Sequence, residues 1–249
     1  MYCCCKTSEI SINHPNHQKK MSSILPVLDK INVIFNLNKT MIYISKHELV
    51  NTNIFPTIVH DYSDIYYVYI RPGLKKLLNK LNKLKDNYNL YIWTELSKRY
   101  TYLILDNLDI DRSVFKHIFT KKHCVDLDNF YTKDLTRYFT EYQLSQTILL
   151  DNSLLNFIPQ PSNAFYIPSF RGDGNDKYLN QIVKVLEHLK NREDIRPYLL
   201  KINNVKKHIS EVDFETWFNY ADRQYERKIA YKESFPYLSV TSNKYPKLF

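Results

Sequence analysis

The run INVIF at residues 31–35 is short, β-branched and almost wholly apolar, which predicts a central strand buried on both faces. It passes directly into the polar turn NLNKT (36–40). IYYVYIRP (65–72) predicts a second extended stretch, closed by Pro72. In GLKKLLNKLNKLKDNY the leucines 74, 77, 78, 81 and 84 recur at the spacing of one helix face. NLYIWT (89–94) reads as a short buried strand and ELSKRYTYLILDNLD as a helix. VFKHIFT, QTILLDNS (146–153) and NAFYIPS read as further strands. DKYLNQIVKVLEHLK predicts a helix with Leu179, Ile182, Val183, Leu186 and Leu189 turned inward. Strands alternating with helices of this length imply βαβ units, and so an α/β domain with a mostly parallel, Rossmann-like sheet flanked by helices.

Residues 1–25 lack a hydrophobic period and predict a flexible tail, 26–200 the folded domain, and 201–249 a helical extension docked by Trp217 and Phe218. A chain of 249 residues with 44% hydrophobic content can bury a full core. Three glycines and no glycine-rich phosphate loop exclude nucleotide-binding architectures of that type. No apolar run is long enough to span a bilayer. The formal charge of +9 suits an acidic partner, but the lysines are scattered, and the densest group (Lys75 to Lys85) falls on the outer face of a predicted helix, so nucleic acid is not favoured. Cys3, Cys4 and Cys5 adjoin one another and Cys124 stands apart, which suits a reducing, intracellular setting and neither a disulfide framework nor a zinc site. His14 and His17 straddle Pro15 and have no further ligand in view. His47 and His60 read as surface residues and Cys124 as packing.

In an open α/β sheet, ligands bind at the carboxyl ends of the strands. Here those ends read NLNKT, WT (93–94) and DNS (151–153), with Lys133 in YTKDL between the second and third. Taken singly, each is ordinary turn or cap chemistry; their order and spacing are more specific. With YIRPGLKKLLNKL, LYIWTELSKRYTYLILDNLD, CVDLDNFYTKDLTR, ILLDNSLLNFIPQPSNAFYI and DIRPYL, they resemble the catalytic domain of the CTD phosphatases, or NLI-interacting-factor-like phosphatases, of the haloacid dehalogenase superfamily.

The resemblance implies a D-x-D-x-T motif after the first strand, an aspartyl-phosphate formed on its first Asp, proton transfer by the second, and Mg²⁺. In this chain the nucleophile position is Asn36 and the acid/base position Asn38. The resemblance further implies phosphate contacts for Thr40, Thr94 and Lys133 and a metal contact for Asn152 beside Asp151, with Mg²⁺ binding weakened or lost. A carboxamide neither attacks phosphorus well nor shuttles a proton, and losing a nucleophile has removed about a millionfold of rate in another hydrolase. Lys39 stands where relatives often carry an acid, which makes the turn attractive to phosphate. The Arg that relatives place before the YVKDL-like segment is replaced within DLDNF (126–130). Three readings follow: a pseudophosphatase that binds a phosphoprotein or the transcription machinery, a residually active Mg²⁺-dependent protein Ser/Thr phosphatase, and a non-catalytic structural module. A nuclear or cytoplasmic location fits all three. Heavy Lys, Asn, Ile and Tyr usage points to an AT-rich genome, as in large DNA viruses.

Overall fold

A computed structural model of the chain describes residues 30–127, 130–157 and 159–202. The tail at 1–25 and, beyond residue 202, the predicted extension lie outside the described residues, as does part of the DLDNF segment. The central sheet is built from β1 (Ile31–Phe35), β5 (Tyr88–Trp93), β6 (His117–Phe119), β9 (Thr147–Asp151) and β10 (Ala164–Tyr166). Its order is β10-β9-β1-β5-β6, and every pairing is parallel. Helices α1 (Leu74–Lys83), α2 (Lys98–Asn107), α3 (Glu141–Leu144), α4 (Tyr178–Leu189) and α5 (Arg196–Ile202) complete the α/β architecture that the sequence predicts.

β1 lies in the middle of this sheet, and its pleat explains why all five residues are buried. Val33 and Phe35 enter the cluster formed with the α1 and α4 leucines, whereas Ile34 enters the opposite one with Tyr91, Trp93 and Leu149. The polar residue in the run, Asn32, donates to Thr147 Oγ1 at 3.2 Å and accepts from Asn89 Nδ2 at 3.0 Å, so its burial leaves the carboxamide paired. In α1, Leu74, Leu77, Leu78 and Leu81 are buried while the lysines stay outside, and each such leucine contributes about 1.5–3 kcal/mol of transfer energy. In α4, Leu179, Ile182, Leu186 and Leu189 are buried and Val183 is half-buried. Gly73 leads into α1 at φ 87°, and a Cβ there would meet Asn180 Oδ1 at 3.0 Å, so the Pro72–Gly73 corner requires its glycine.

The stretch at 65–72 is extended but lies outside the central sheet. Strand β4 (Asp64–Ile70) pairs antiparallel with β2 (Ile42–Ser45) and β3 (Thr57–Asp61) in a separate three-stranded sheet inserted between β1 and α1. Val59 and Val68 are buried and Ile58 and Ile65 exposed, the alternation of a sheet covered on one face. A third, two-stranded sheet joins β7 (Val125–Leu127) to β8 (Phe130–Thr132) and leads the chain to Lys133. VFKHIFT is strand only at His117–Phe119, because a one-turn 3₁₀ helix capped by Asp111 occupies Arg112–Val114.

Candidate functional site

The turn after β1 is pinned at both ends by buried Leu37 and Met41. Leu37 O accepts from Met41 N at 2.9 Å and Ile42 N at 3.1 Å, and Lys39 takes a left-handed φ of 63° to close the loop. Arg71, fully buried, donates Nη1 to Thr40 O at 3.1 Å and grips Asp176 with Nε and Nη2 at 2.9 and 2.7 Å. The bidentate pair fixes the guanidinium, which in turn fixes the turn backbone.

Three polar strand ends meet as the sequence predicts. Asn36, Asn38, Lys39, Thr94, Asp151, Asn152 and Ser153 line one cleft of about 280 Å³, joined by Glu95, Leu96 and Asn156. Thr40 and Lys133 belong to the same constellation but are fully buried and lie outside the cleft lining. His47 and His60 are exposed and do not line it.

Asn36 is the hub beneath the cleft. Its Oδ1 accepts from Lys133 Nζ at 2.9 Å, and Lys133 Nζ also donates to Asp151 Oδ2 at 2.5 Å. Its Nδ2 faces three oxygens: Asn38 O at 2.7 Å, Asn152 Oδ1 at 2.9 Å and Thr40 Oγ1 at 3.1 Å. Only one orientation of this carboxamide works, because an ammonium can only donate and a backbone carbonyl can only accept. Thr40 Oγ1 donates to Asn152 Oδ1 at 3.2 Å, and Asn152 Nδ2 continues to Ser169 Oγ at 3.0 Å. Asn38 turns its Oδ1 to Ile44 N at 3.2 Å and so ties the turn to β2.

Lys133 reaches this position because the segment carrying it is fastened on both sides. Thr132 Oγ1 donates to Leu155 O at 3.1 Å, and Asp134 Oδ1 accepts from Thr136 N at 3.1 Å and Gln160 Nε2 at 2.9 Å. Asp151 is held as tightly: Oδ1 accepts from Ser153 N at 2.8 Å, while Oδ2 is shared by Lys133 and Asn156 Nδ2, the latter at 2.8 Å. A buried ion pair of this kind persists only with further hydrogen bonds to its partners, and Asn36, Ser153 and Asn156 supply them here. Cys124 packs against Trp93, whose Nε1 lies 3.3 Å from its sulfur, and burial pushes its thiol up to about 11, which suits packing rather than nucleophilic work.

The turn, the threonine after β5, the lysine after β8 and the Asp-Asn pair after β9 thus form one connected group at the carboxyl edge of a parallel sheet. The family model of the NLI interacting factor-like phosphatases matches residues 31–196, a span that contains every one of these residues.

The chain belongs to the NLI interacting factor-like phosphatase family.

Relatives within and around this family agree. A CTD small phosphatase-like protein 2 from Dictyostelium discoideum is 30% identical over 68% of this chain and 29% of its own length. A CTD small phosphatase-like protein 3 from Caenorhabditis elegans is 29% identical over 71% of this chain and 61% of its own. The human carboxy-terminal domain RNA polymerase II polypeptide A small phosphatase 2 is 28% identical over 67% of this chain and 59% of its own. The chain therefore spans less than two thirds of the length of these relatives. Among solved structures, a fission yeast RNA polymerase II CTD phosphatase superposes with a TM-score of 0.45 at 18% identity, over 69% of this chain and 54% of that one.

Two lining residues, Glu95 and Asn156, escape the motif-based reading. Asn156 follows Asp151 by five positions, a spacing no strand or α-helix period would flag. The 3₁₀ turn at Leu154–Phe157 folds it back onto Asp151. Glu95 follows Thr94 in WTEL and reads from sequence as the start of a helix; instead Ser97 caps α2, its Oγ accepting from Tyr100 N at 3.3 Å, and Glu95 stays on the cleft rim.

Proposed function

We propose that this chain is a phosphoprotein-binding pseudophosphatase: a phosphatase-like domain whose catalytic positions have become structural. The observation that carries this reading is the orientation of the Asn36 carboxamide. An aspartate in its place would turn one oxygen toward Lys133 and the other toward Asn38 O, Asn152 Oδ1 and Thr40 Oγ1, a pocket of acceptors that asks for a cation. In Asn36 the N–H₂ group occupies that place and donates to the acceptors. Mg²⁺ requires hard oxygen ligands in an octahedral shell, and here a donor nitrogen stands among them, while the nearest carboxylate, Asp151, is engaged by Lys133, Ser153 and Asn156. The residues present do not fit Mg²⁺.

Asn38 adds a second loss. Its carboxamide has no proton to exchange at neutral pH, and its oxygen is committed to Ile44 N. What the cleft retains is the means to hold a phosphoryl group: Thr94 and Lys39 among the lining residues. A phosphoserine- or phosphothreonine-bearing protein is the ligand class that this suits, and proteins of the transcription machinery are natural candidates, given the RNA polymerase II name of one relative. Binding in the nucleus or cytoplasm is in keeping with this; among the described residues no helix is long and apolar enough to cross a membrane.

Phosphate release from a phosphoserine peptide, measured with Mg²⁺ for the native chain beside the Asn36→Asp/Asn38→Asp double variant, tests the proposal. The native chain is expected to match the uncatalysed background, and turnover confined to the double variant would show that the rest of the site is intact. Mg²⁺-dependent turnover by the native chain refutes the pseudophosphatase.

A further inference from the structure

Helix α1 carries a charge pattern that its own stability does not explain. Every exposed position in it is lysine or asparagine, and it contains no acidic residue. Lys80 and Lys83 in the last turn complement the negative end of the helix dipole. Lys75 and Lys76 sit in the first turn, at the positive end, where a cation is unfavourable. Lys76 and Lys80 are moreover like charges four positions apart, which repel on a helix surface. Of these four lysines only Lys80 has an acidic partner among the described residues, Glu187 of α4 at 2.8 Å, and that pair is half exposed. The arginines around α2 are matched by contrast, Arg99 with Asp61 and Arg112 with Asp106. α4 extends the basic face. Asn180 lies beside Gly73 and Glu187 beside Lys80, and exposed Lys184 falls on the stripe between them.

A cationic face held against its own repulsion calls for an anionic partner, and its place in the fold indicates which. α1 starts beside the turn after β1, where Arg71 N donates to Met41 O at 3.0 Å. It leads to the opposite edge of the sheet, where Ile31 N donates to Asn87 O at 2.9 Å, two residues beyond exposed Lys85. The segment that carries Cys3, Cys4 and Cys5 therefore enters the fold at the end of the lysine face. Such thiols are acyl-chain acceptors, and a basic patch is the second hold that a single acyl chain needs for stable membrane attachment. The exposed cations of α1 are all lysine, without the arginine forks and stacking aromatics that nucleic-acid surfaces combine. We propose that the lysine face of α1, extended by Lys85 and Lys184, docks on an anionic lipid bilayer. None of these lysines lines the cleft, so the inference is independent of the phosphoprotein reading.

The test is co-sedimentation of the full chain with vesicles of phosphatidylcholine alone, or of about two parts phosphatidylcholine to one of phosphatidylserine. The chain is expected to bind the anionic vesicles, to leave the neutral ones, and to be released as salt rises. Lys75→Gln/Lys76→Gln should weaken binding about fivefold per lysine, and so roughly twentyfold to thirtyfold. The charge-matched Lys121→Gln/Lys122→Gln, at exposed positions just after the edge strand β6, should bind like the native chain. Because both first-turn lysines oppose the helix dipole, their removal should leave the urea midpoint unchanged or raised. Equal binding to neutral vesicles, no binding to either, or equal losses in the two double variants overturns the proposal. A lowered midpoint in Lys75→Gln/Lys76→Gln would assign these lysines to the fold and overturn it too. So would duplex DNA that displaces the chain from anionic vesicles through Lys75 and Lys76, since the face would then belong to nucleic acid.

Discussion

The floor and the rim of the cleft treat their polar atoms in opposite ways. Beneath the cleft, Lys133, Asp151, Asn36, Thr40 and Asn152 form one connected hydrogen-bond network that runs down to Ser169. On the rim, Glu95 is exposed, and Asn156 keeps a buried oxygen without a donor. On the pseudophosphatase reading proposed above, the floor serves as a polar core and the open rim is what a ligand can reach. Stability should therefore be concentrated at the floor and ligand choice at the rim.

The largest expected effect comes from breaking the floor. Lys133→Met leaves Asp151 charged and buried without its cation, and should cost about 3–5 kcal/mol, read as a lower midpoint in urea denaturation. A loss under 1 kcal/mol would mean that the floor is not a closed core. Next, Asn36→Asp replaces the N–H₂ group with an oxygen facing Asn38 O, Asn152 Oδ1 and Thr40 Oγ1. In EDTA this variant should lose about 1–3 kcal/mol by the same measurement, since a carboxylate oxygen then faces two oxygens that here only accept, Asn38 O and Asn152 Oδ1; unchanged stability would break the claim that the amide replaces a cation.

A smaller effect belongs to the apolar packing beside the floor. Burial raises the Cys124 thiol to about 11, above its ordinary value near 8.5, so the folded state favours the neutral form. The associated stability is complete below the ordinary thiol range and declines as pH rises from there toward the folded value. Peptide mapping after iodoacetamide at pH 8 should find the Cys124 peptide unmodified, and modified only once denaturant is added. Smallest of all, Glu95→Gln should change stability by no more than about 0.5 kcal/mol, since the side chain is exposed and its contact with Asn156 is long. A large loss there would erase the contrast between rim and floor.

Much of this was legible in the chain itself. INVIF declares a strand buried on both faces, and the polar residues after three apolar runs converge because parallel strands deliver their carboxyl ends to one edge. The three-stranded insertion was harder to read, because β2 and β3 are short and only partly buried, which leaves a weak hydrophobic period. Burial depth was harder still: residue type says that Lys133 and Thr40 can meet a phosphate, but only the fold reveals that both are fully covered and turned toward Asn36. Asn156 was invisible because a 3₁₀ turn, not a regular period, brings it back to Asp151. The two asparagines of NLNKT were plain in the sequence. That one of them donates into the pocket where a metal would sit depends on geometry alone.

That placement is the central claim, and calorimetric titration of the native chain with Mg²⁺, beside Asn36→Asp, addresses it most directly. The account predicts no binding heat for the native chain up to millimolar Mg²⁺ and a saturable isotherm for Asn36→Asp, whose new carboxylate joins Asn38 O and Asn152 Oδ1. A saturable Mg²⁺ isotherm in the native chain, abolished by Asn152→Ala, would contradict it.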